Sequence, residues 1–181
     1  MRRILRLTVL LVITLISSNA MKNVGAQEVV DVPAYVFQDP GEVVAVIDGD
    51  TIVVEWSQRF KDQVRIASAD TPELKPEVNC LAAFAVESTA WAYNVLLGRT
   101  VWLSMTGETQ DGEPVVRHGN RVLARVYLDP DRQTDFGRIL VAQGFAEALE
   151  KFPVGEKYQP LEDEAKQAKR GRWGKCPEST M

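Results

Sequence analysis

Two short carboxylate clusters, Asp48-Gly49-Asp50-Thr51 and Asp70-Thr71-Pro72-Glu73, stand out, with Arg65 just ahead of the second. Each falls where an apolar run ends, which places each at the end of a strand. Asp50, Asp70 and Glu73 offer hard oxygen ligands of the kind that hold Ca²⁺ or Mg²⁺. Arg65 supplies a planar, permanently charged fork that matches phosphate oxygens. Carboxylates, a cation and an arginine together point to chemistry on a phosphodiester. Asp48 beside Gly49 has a more ordinary use, since a turn aspartate caps backbone amides.

The elements that must position these residues follow from hydrophobic pattern. Gly41–Ile47 (GEVVAVI) and Thr51–Trp56 (TIVVEW) read as a hairpin with Asp48-Gly49 at its tip. Asp62–Ala69 alternates, with Val64, Ile66 and Ser68 on one face and Arg65, Ala67 and Ala69 on the other. Leu81–Leu97 is the best helix: Leu81, Phe84, Ala85, Ser88, Trp91, Ala92 and Val95 form one face, and Gly98 stops it. Thr100–Met105 and Val122–Leu128 return to strand, separated by a long polar loop over 106–120. Asp135 caps a short helix ending at Gln143, with Gly144 just beyond. A final charged helix runs from about Tyr158 to Lys169, with Leu161, Ala165 and Ala168 as its apolar stripe and Gly171 closing it. Five short strands and about three helices predict an α+β domain, a five-stranded Greek-key barrel of the OB type. The four Trp residues, at helix or strand spacing, are expected in the core.

At 181 residues the chain fits one domain and an appendage. The appendage is residues 1–26: a basic start, an apolar run from Leu7 to Ile16, then Ser17-Ser18-Asn19-Ala20. That run is shorter than the roughly 20 residues a bilayer span needs, and the pattern is that of a secretory signal peptide. Export, to the periplasm or the medium, is the expectation. Residues 27–40 read as a flexible lead-in, 41–174 as the domain and 175–181 as a tail. The segment 1–26 carries four basic residues and no acid, so its removal takes the net charge from −4 to about −8. Such acidity argues against a pure nucleic-acid binding module, whose affinity rests on neutralising phosphates, and less against an enzyme that recruits a metal ion. Only two cysteines occur, Cys80 and Cys176. In an oxidising compartment they are most simply one disulfide, closing a loop long enough to contribute up to roughly 4–5 kcal/mol.

Ile47-Asp48-Gly49-Asp50-Thr51, Arg65 and Asp70-Thr71-Pro72-Glu73, in that order, resemble the staphylococcal-nuclease-like (thermonuclease) family. Leu140–Ala146 (LVAQGFA) and the run from Glu164-Ala165 to Gly174 are similar to its C-terminal pattern. The resemblance implies an OB-type barrel and Ca²⁺-dependent hydrolysis of DNA and RNA, preferably single-stranded, by a monomer. It implies Asp50 and Asp70 as carboxylate ligands of Ca²⁺ and Thr71 as a ligand through its backbone carbonyl. It further implies that Glu73 directs the attacking water, as general base or through the metal's shell, and that Arg65 binds the scissile phosphate. A second phosphate-binding arginine precedes the last strand; Arg121 is its best counterpart and Arg117 the alternative. His118 stands where members of the family carry a lysine that helps hold the nucleotide, and Phe152 falls near a tyrosine that packs on it. Glu150 occupies a neighbouring tyrosine position.

Overall fold

Strands with one apolar face must close on each other or be covered, and here they close. The computed structural model describes residues 40–56, 60–74, 79–105, 117–149 and 157–176, with Met105 and His118 described by their backbone only. The expected signal segment and most of the lead-in, the bulk of the 106–120 loop, Phe152 and most of the tail lie outside these residues. Five strands make the barrel: β1 (Gly41–Asp48), β2 (Thr51–Glu55), β3 (Lys61–Ile66), β5 (Thr100–Met105) and β7 (Arg121–Tyr127). Their order is β3-β2-β1-β5-β7, and a parallel β3–β7 pairing closes the ring. This is the predicted OB-type connectivity. Three two-residue strands are added: β4 (Ala69–Asp70), β6 (Arg117–His118) and β8 (Glu147–Ala148).

Alternation fills the interior. Ile52 and Val54, Val64 and Ile66, Val101 and Leu103, and Val122, Ala124 and Val126 are all buried, as expected for inward positions along each strand. Helix α1 (Cys80–Leu96) lies across β1 and contributes Ala92 and Leu96 to the same core. Asn79 caps it, its Oδ1 accepting the Ala82 N–H at 2.8 Å. Trp91 of α1 stacks on Phe136 and Phe145, with ring centroids 5.4 and 4.8 Å away. This joins α1 to α2 (Phe136–Ala142). Asp135 caps α2 as predicted, and Gly144 (φ +72°) ends it: the Gly144 and Phe145 N–H groups return to the Val141 and Leu140 carbonyls.

Two readings of the sequence need correction. The strand expected through Ala69 ends at Ile66, because Ser68 adopts φ +67° and turns the chain before β4 resumes. Helix α3 (Gln159–Gln167) presents a different stripe: Glu162 is buried and Ala168 exposed. Glu162 can face inward because its carboxylate accepts the Ala148 N–H at 2.6 Å and pairs with Lys166. The segment after Gly171 forms a fourth, single-turn helix, α4 (Arg172–Lys175). Trp173 is half-buried, with the cationic groups of Lys166 and Arg172 over its ring.

Candidate active site

The first acidic cluster is the tip of the β1–β2 hairpin. Asp48 Oδ1 accepts the Asp50 N–H at 3.1 Å, the turn role expected of it. A Cβ on Gly49 would stand 2.8 Å from the Thr71 side chain and 3.0 Å from Ser88 Oγ. Glycine there lets the second cluster and α1 close directly onto the hairpin tip. Asp50 is only 2 % exposed. Its Oδ2 accepts the Thr71 N–H at 2.7 Å and the Thr71 hydroxyl at 3.0 Å. Its Oδ1 accepts the Thr51 hydroxyl at 3.2 Å and meets Arg65 Nη1 at 2.9 Å. Burial pushes the Asp50 carboxyl up to about 7; Arg65 opposes the rise, the charge on Asp48 adds to it, and the Thr71 hydrogen bonds oppose it.

Arg65 lies on β3 opposite Thr51 and is 7 % exposed. Its guanidinium donates to the carbonyls of Ile66 (3.1 Å) and Ala69 (2.7 Å) and pairs with Asp50 and Asp70. The turn at Ala67-Ser68 thus curls around the arginine that precedes it. Arg65 is therefore both a buried structural tie and a charge set between the two candidate ligands. The surface pairing that a lone arginine beside acids would adopt is not what this fold provides.

Arg121 starts β7 and its Nη1 lies 3.3 Å from Thr51 Oγ1. Thr51 thereby joins it to Asp50. Arg117 turns the other way, to Asp62 and to the Asn120 carbonyl at 2.8 Å. The geometry separates the two candidate arginines: Arg121 shares the cluster of Asp50, Arg65, Asp70 and Thr71, and Arg117 does not. His118 pairs with Arg121 in the β6–β7 ladder, which sets its backbone beside the cluster. Glu73 is exposed, follows Asp70 and Thr71 on the same segment, and makes no side-chain hydrogen bond or ion pair among the described residues. It borders a cavity of about 260 Å³ shared with Asp70, Asn79, Glu147 and Arg172.

Sequence reasoning missed three participants. Thr51 was visible in the motif, but its link to Arg121 depends on the hairpin register. Glu147 stands opposite Asp70 in the β4–β8 pairing and binds Arg172 Nη1 at 2.6 Å; neither residue carried a local signal. Cys80 and Cys176 are joined as a disulfide, as expected, with Cα atoms 5.6 Å apart. Among the described residues no three His, Cys, Asp or Glu side chains converge as a metal group, and no helix is long and apolar enough to cross a membrane. The carboxylates of Asp50 and Asp70 are brought together on the Arg65 guanidinium, and the Thr71 amide and hydroxyl are bonded to Asp50.

Fold and site define an OB-type barrel with a carboxylate–arginine cluster at one end. Comparison with known proteins places it more closely. Residues 63–175 match the staphylococcal nuclease homologue family, and the chain belongs to that family. It is 32% identical over 133 residues to an uncharacterized endonuclease of Escherichia coli, covering 74% of this chain and 76% of that one. It is likewise 32% identical over 127 residues to a probable endonuclease of Schizophyllum commune, covering 66% of this chain and 44% of the relative. An uncharacterized protein of Methanocaldococcus jannaschii is 25% identical over 151 residues, 74% and 70% of the two chains.

Proposed function

We propose that this protein is an exported nuclease that hydrolyses phosphodiester bonds in DNA and RNA with the help of Ca²⁺. The observation that carries the reading is the convergence of Arg65, Asp50, Asp70, Thr71 and Arg121 from four strand ends onto one end of the barrel. Family membership and the endonuclease names of its relatives support the reaction class. The basic, apolar and small-residue order of residues 1–20 supports export.

The donor set fits a hard cation: it is all oxygen, and Asp50 is a carboxylate whose burial raises the cost of its charge until a cation compensates it. Asp50, Asp70 and the Thr71 carbonyl would hold Ca²⁺, which when bound supplies positive charge beside the phosphoryl oxygens. The remaining work belongs to the chain itself. Arg65, released from Asp70, and Arg121 present donors to phosphate oxygens as negative charge builds on them. Glu73, exposed and without a side-chain partner among the described residues, accepts the proton of the attacking water. The hairpin tip, held by Gly49 against Thr71, keeps ligands and arginines in one register.

Protein lacking residues 1–26 is expected to degrade single-stranded DNA and RNA with Ca²⁺ and to stop with EDTA. Glu73→Gln should lower kcat by a factor of about 100 or more with an unchanged melting temperature, as for a lost general base on an exposed side chain. Full activity in that variant would remove Glu73 from the mechanism, and metal-independent binding without turnover in the parent would replace this reading with a binding domain.

A further inference from the structure

We propose that Thr51 is a positioning residue for the reaction: its hydroxyl orients the Arg121 guanidinium for phosphate without neutralising it. The inference rests on the nuclease reading for the work Arg121 does, and on hydrogen-bond geometry alone for the orientation.

Among the described residues, the arginines with side-chain partners are held in two ways. Arg65, Arg117, Arg125, Arg170 and Arg172 each pair with a carboxylate. Arg121 is held by a neutral group, its Nη1 donating to Thr51 Oγ1 at 3.3 Å. The difference bears on what each can do for an anion. A carboxylate fixes a guanidinium but offsets its charge, and a phosphate must then displace it. A hydroxyl fixes the fork and leaves its full charge and its remaining N–H groups for phosphate oxygens. Arg121 is only half-buried, at the start of β7 and two residues after Gly119 (φ +63°). Its long side chain therefore has rotamer freedom to regain when nothing holds it.

Thr51 is itself firmly placed. It is buried, and its backbone lies between two partners, Asp48 across the hairpin and Arg65 across β2–β3. A β-branched side chain there keeps few χ1 rotamers. Its hydroxyl donates to Asp50 Oδ1 at 3.2 Å, which uses its one hydrogen and leaves the oxygen lone pairs for Arg121. Both bonds lie just beyond the ordinary length range, so they contribute direction more than binding energy. Asp50 does not depend on this hydroxyl: it keeps the Thr71 amide, the Thr71 hydroxyl and Arg65. Removing the hydroxyl should therefore act on Arg121 and spare the carboxylate.

The test compares Thr51→Val, which keeps the shape and loses the hydroxyl, with Thr51→Ser, which keeps the hydroxyl. Nitrogen-15 relaxation of the Arg121 Nε–H group reads the orientation directly in the metal-free protein. In Thr51→Val its order parameter should fall by about a third or more, towards that of the exposed Arg138, and in Thr51→Ser it should stay within about a tenth of the parent value. With single-stranded DNA and Ca²⁺, kcat should fall about tenfold in Thr51→Val and less than about threefold in Thr51→Ser. In an Arg121→Ala background the Thr51→Val change should cost less than about twofold, because the group it orients is gone. An Arg121 signal as ordered in Thr51→Val as in the parent overturns the proposal. So do equal losses of kcat in the two variants, which would mean that Thr51 serves packing. A full tenfold loss in the Arg121→Ala background overturns it too, since Thr51 would then act through Asp50. If the parent shows no nuclease activity, the functional reading fails and the Arg121 signal still decides the orientation. Should Thr51→Val not fold, Thr51→Ala, which also lacks the hydroxyl, is held to the same criteria.

Discussion

Asp50 gives the most searching test of how the site is built. Its carboxyl is pushed from an ordinary 3.8 to about 7, chiefly by burial, with Arg65 only partly offsetting the cost. Between those values the metal-free folded protein holds a proton that the unfolded chain has released. Stability from this group is therefore greatest below about pH 4 and is lost as pH rises through about 7, the reverse of a salt-bridged surface aspartate. The full span corresponds to about 4 kcal/mol, and water entry on ionisation should trim the measured value to about 2–4 kcal/mol. Urea unfolding in EDTA at a series of pH values from 4.5 to 8 reads it directly, and subtracting the same series for Asp50→Asn removes the other groups. Because Ca²⁺ would bind only the ionised carboxylate, its stabilising effect should be largest above pH 7 and its affinity should fall up to about tenfold per pH unit below that. A difference curve that is flat, or that rises with pH, would show that Asp50 is ionised without strain, and the proposed relief by a cation would lose its basis.

Other outcomes follow from the same contacts. Arg65→Lys should lose both activity and about 3 kcal/mol of stability, because the buried guanidinium ties two carbonyls and two carboxylates; a variant as stable as the parent in urea would contradict its structural role. Arg121→Ala should cut kcat at least about 100-fold while Arg117→Ala, which breaks the Asp62 pair and the bond to the Asn120 carbonyl, changes it less than about threefold; the reverse ranking would exchange the two arginines. Asp135→Ala should cost about 3–5 kcal/mol without altering kcat of the folded fraction, since its carboxylate joins Arg125, the Tyr158 hydroxyl at 2.5 Å and the Gly137 amide. Gly144→Ala should destabilise by about 2 kcal/mol or more, measured as a lower urea midpoint, because φ is +72° and a Cβ would sit 2.4 Å from the Arg170 carbonyl oxygen.

Periodicity and punctuation made the barrel legible. The alternation of Ile52 with Val54 and of Val64 with Ile66, the caps at Asp135 and Gly144, and the helix ended by Gly98 all depend on neighbours in sequence, and all stand in the structure. The sequence reading erred where a local pattern was overridden at a distance. Ser68 looked like one more alternating strand residue, but the Arg65 guanidinium draws the Ile66 and Ala69 carbonyls together and bends the chain there. Glu162 looked like a solvated position, but an amide on β8 awaited a partner.

For the site, the sequence by itself determined the chemistry on offer: which residues are carboxylates and arginines, and that their order matches a nuclease-like family. It also fixed the turn role of Asp48, since that bond spans two residues. Only the tertiary structure decided which of these groups share a space. Closure of β3 on β7 and the hairpin register of β2 set Arg121, rather than Arg117, beside Thr51 and Asp50. Burial, which no local window contains, gave Asp50 its raised proton affinity and made Arg65 a buried tie. Glu147 and Arg172 meet only through the fold, because a pair set by contacts between distant segments leaves no spacing in the sequence to read.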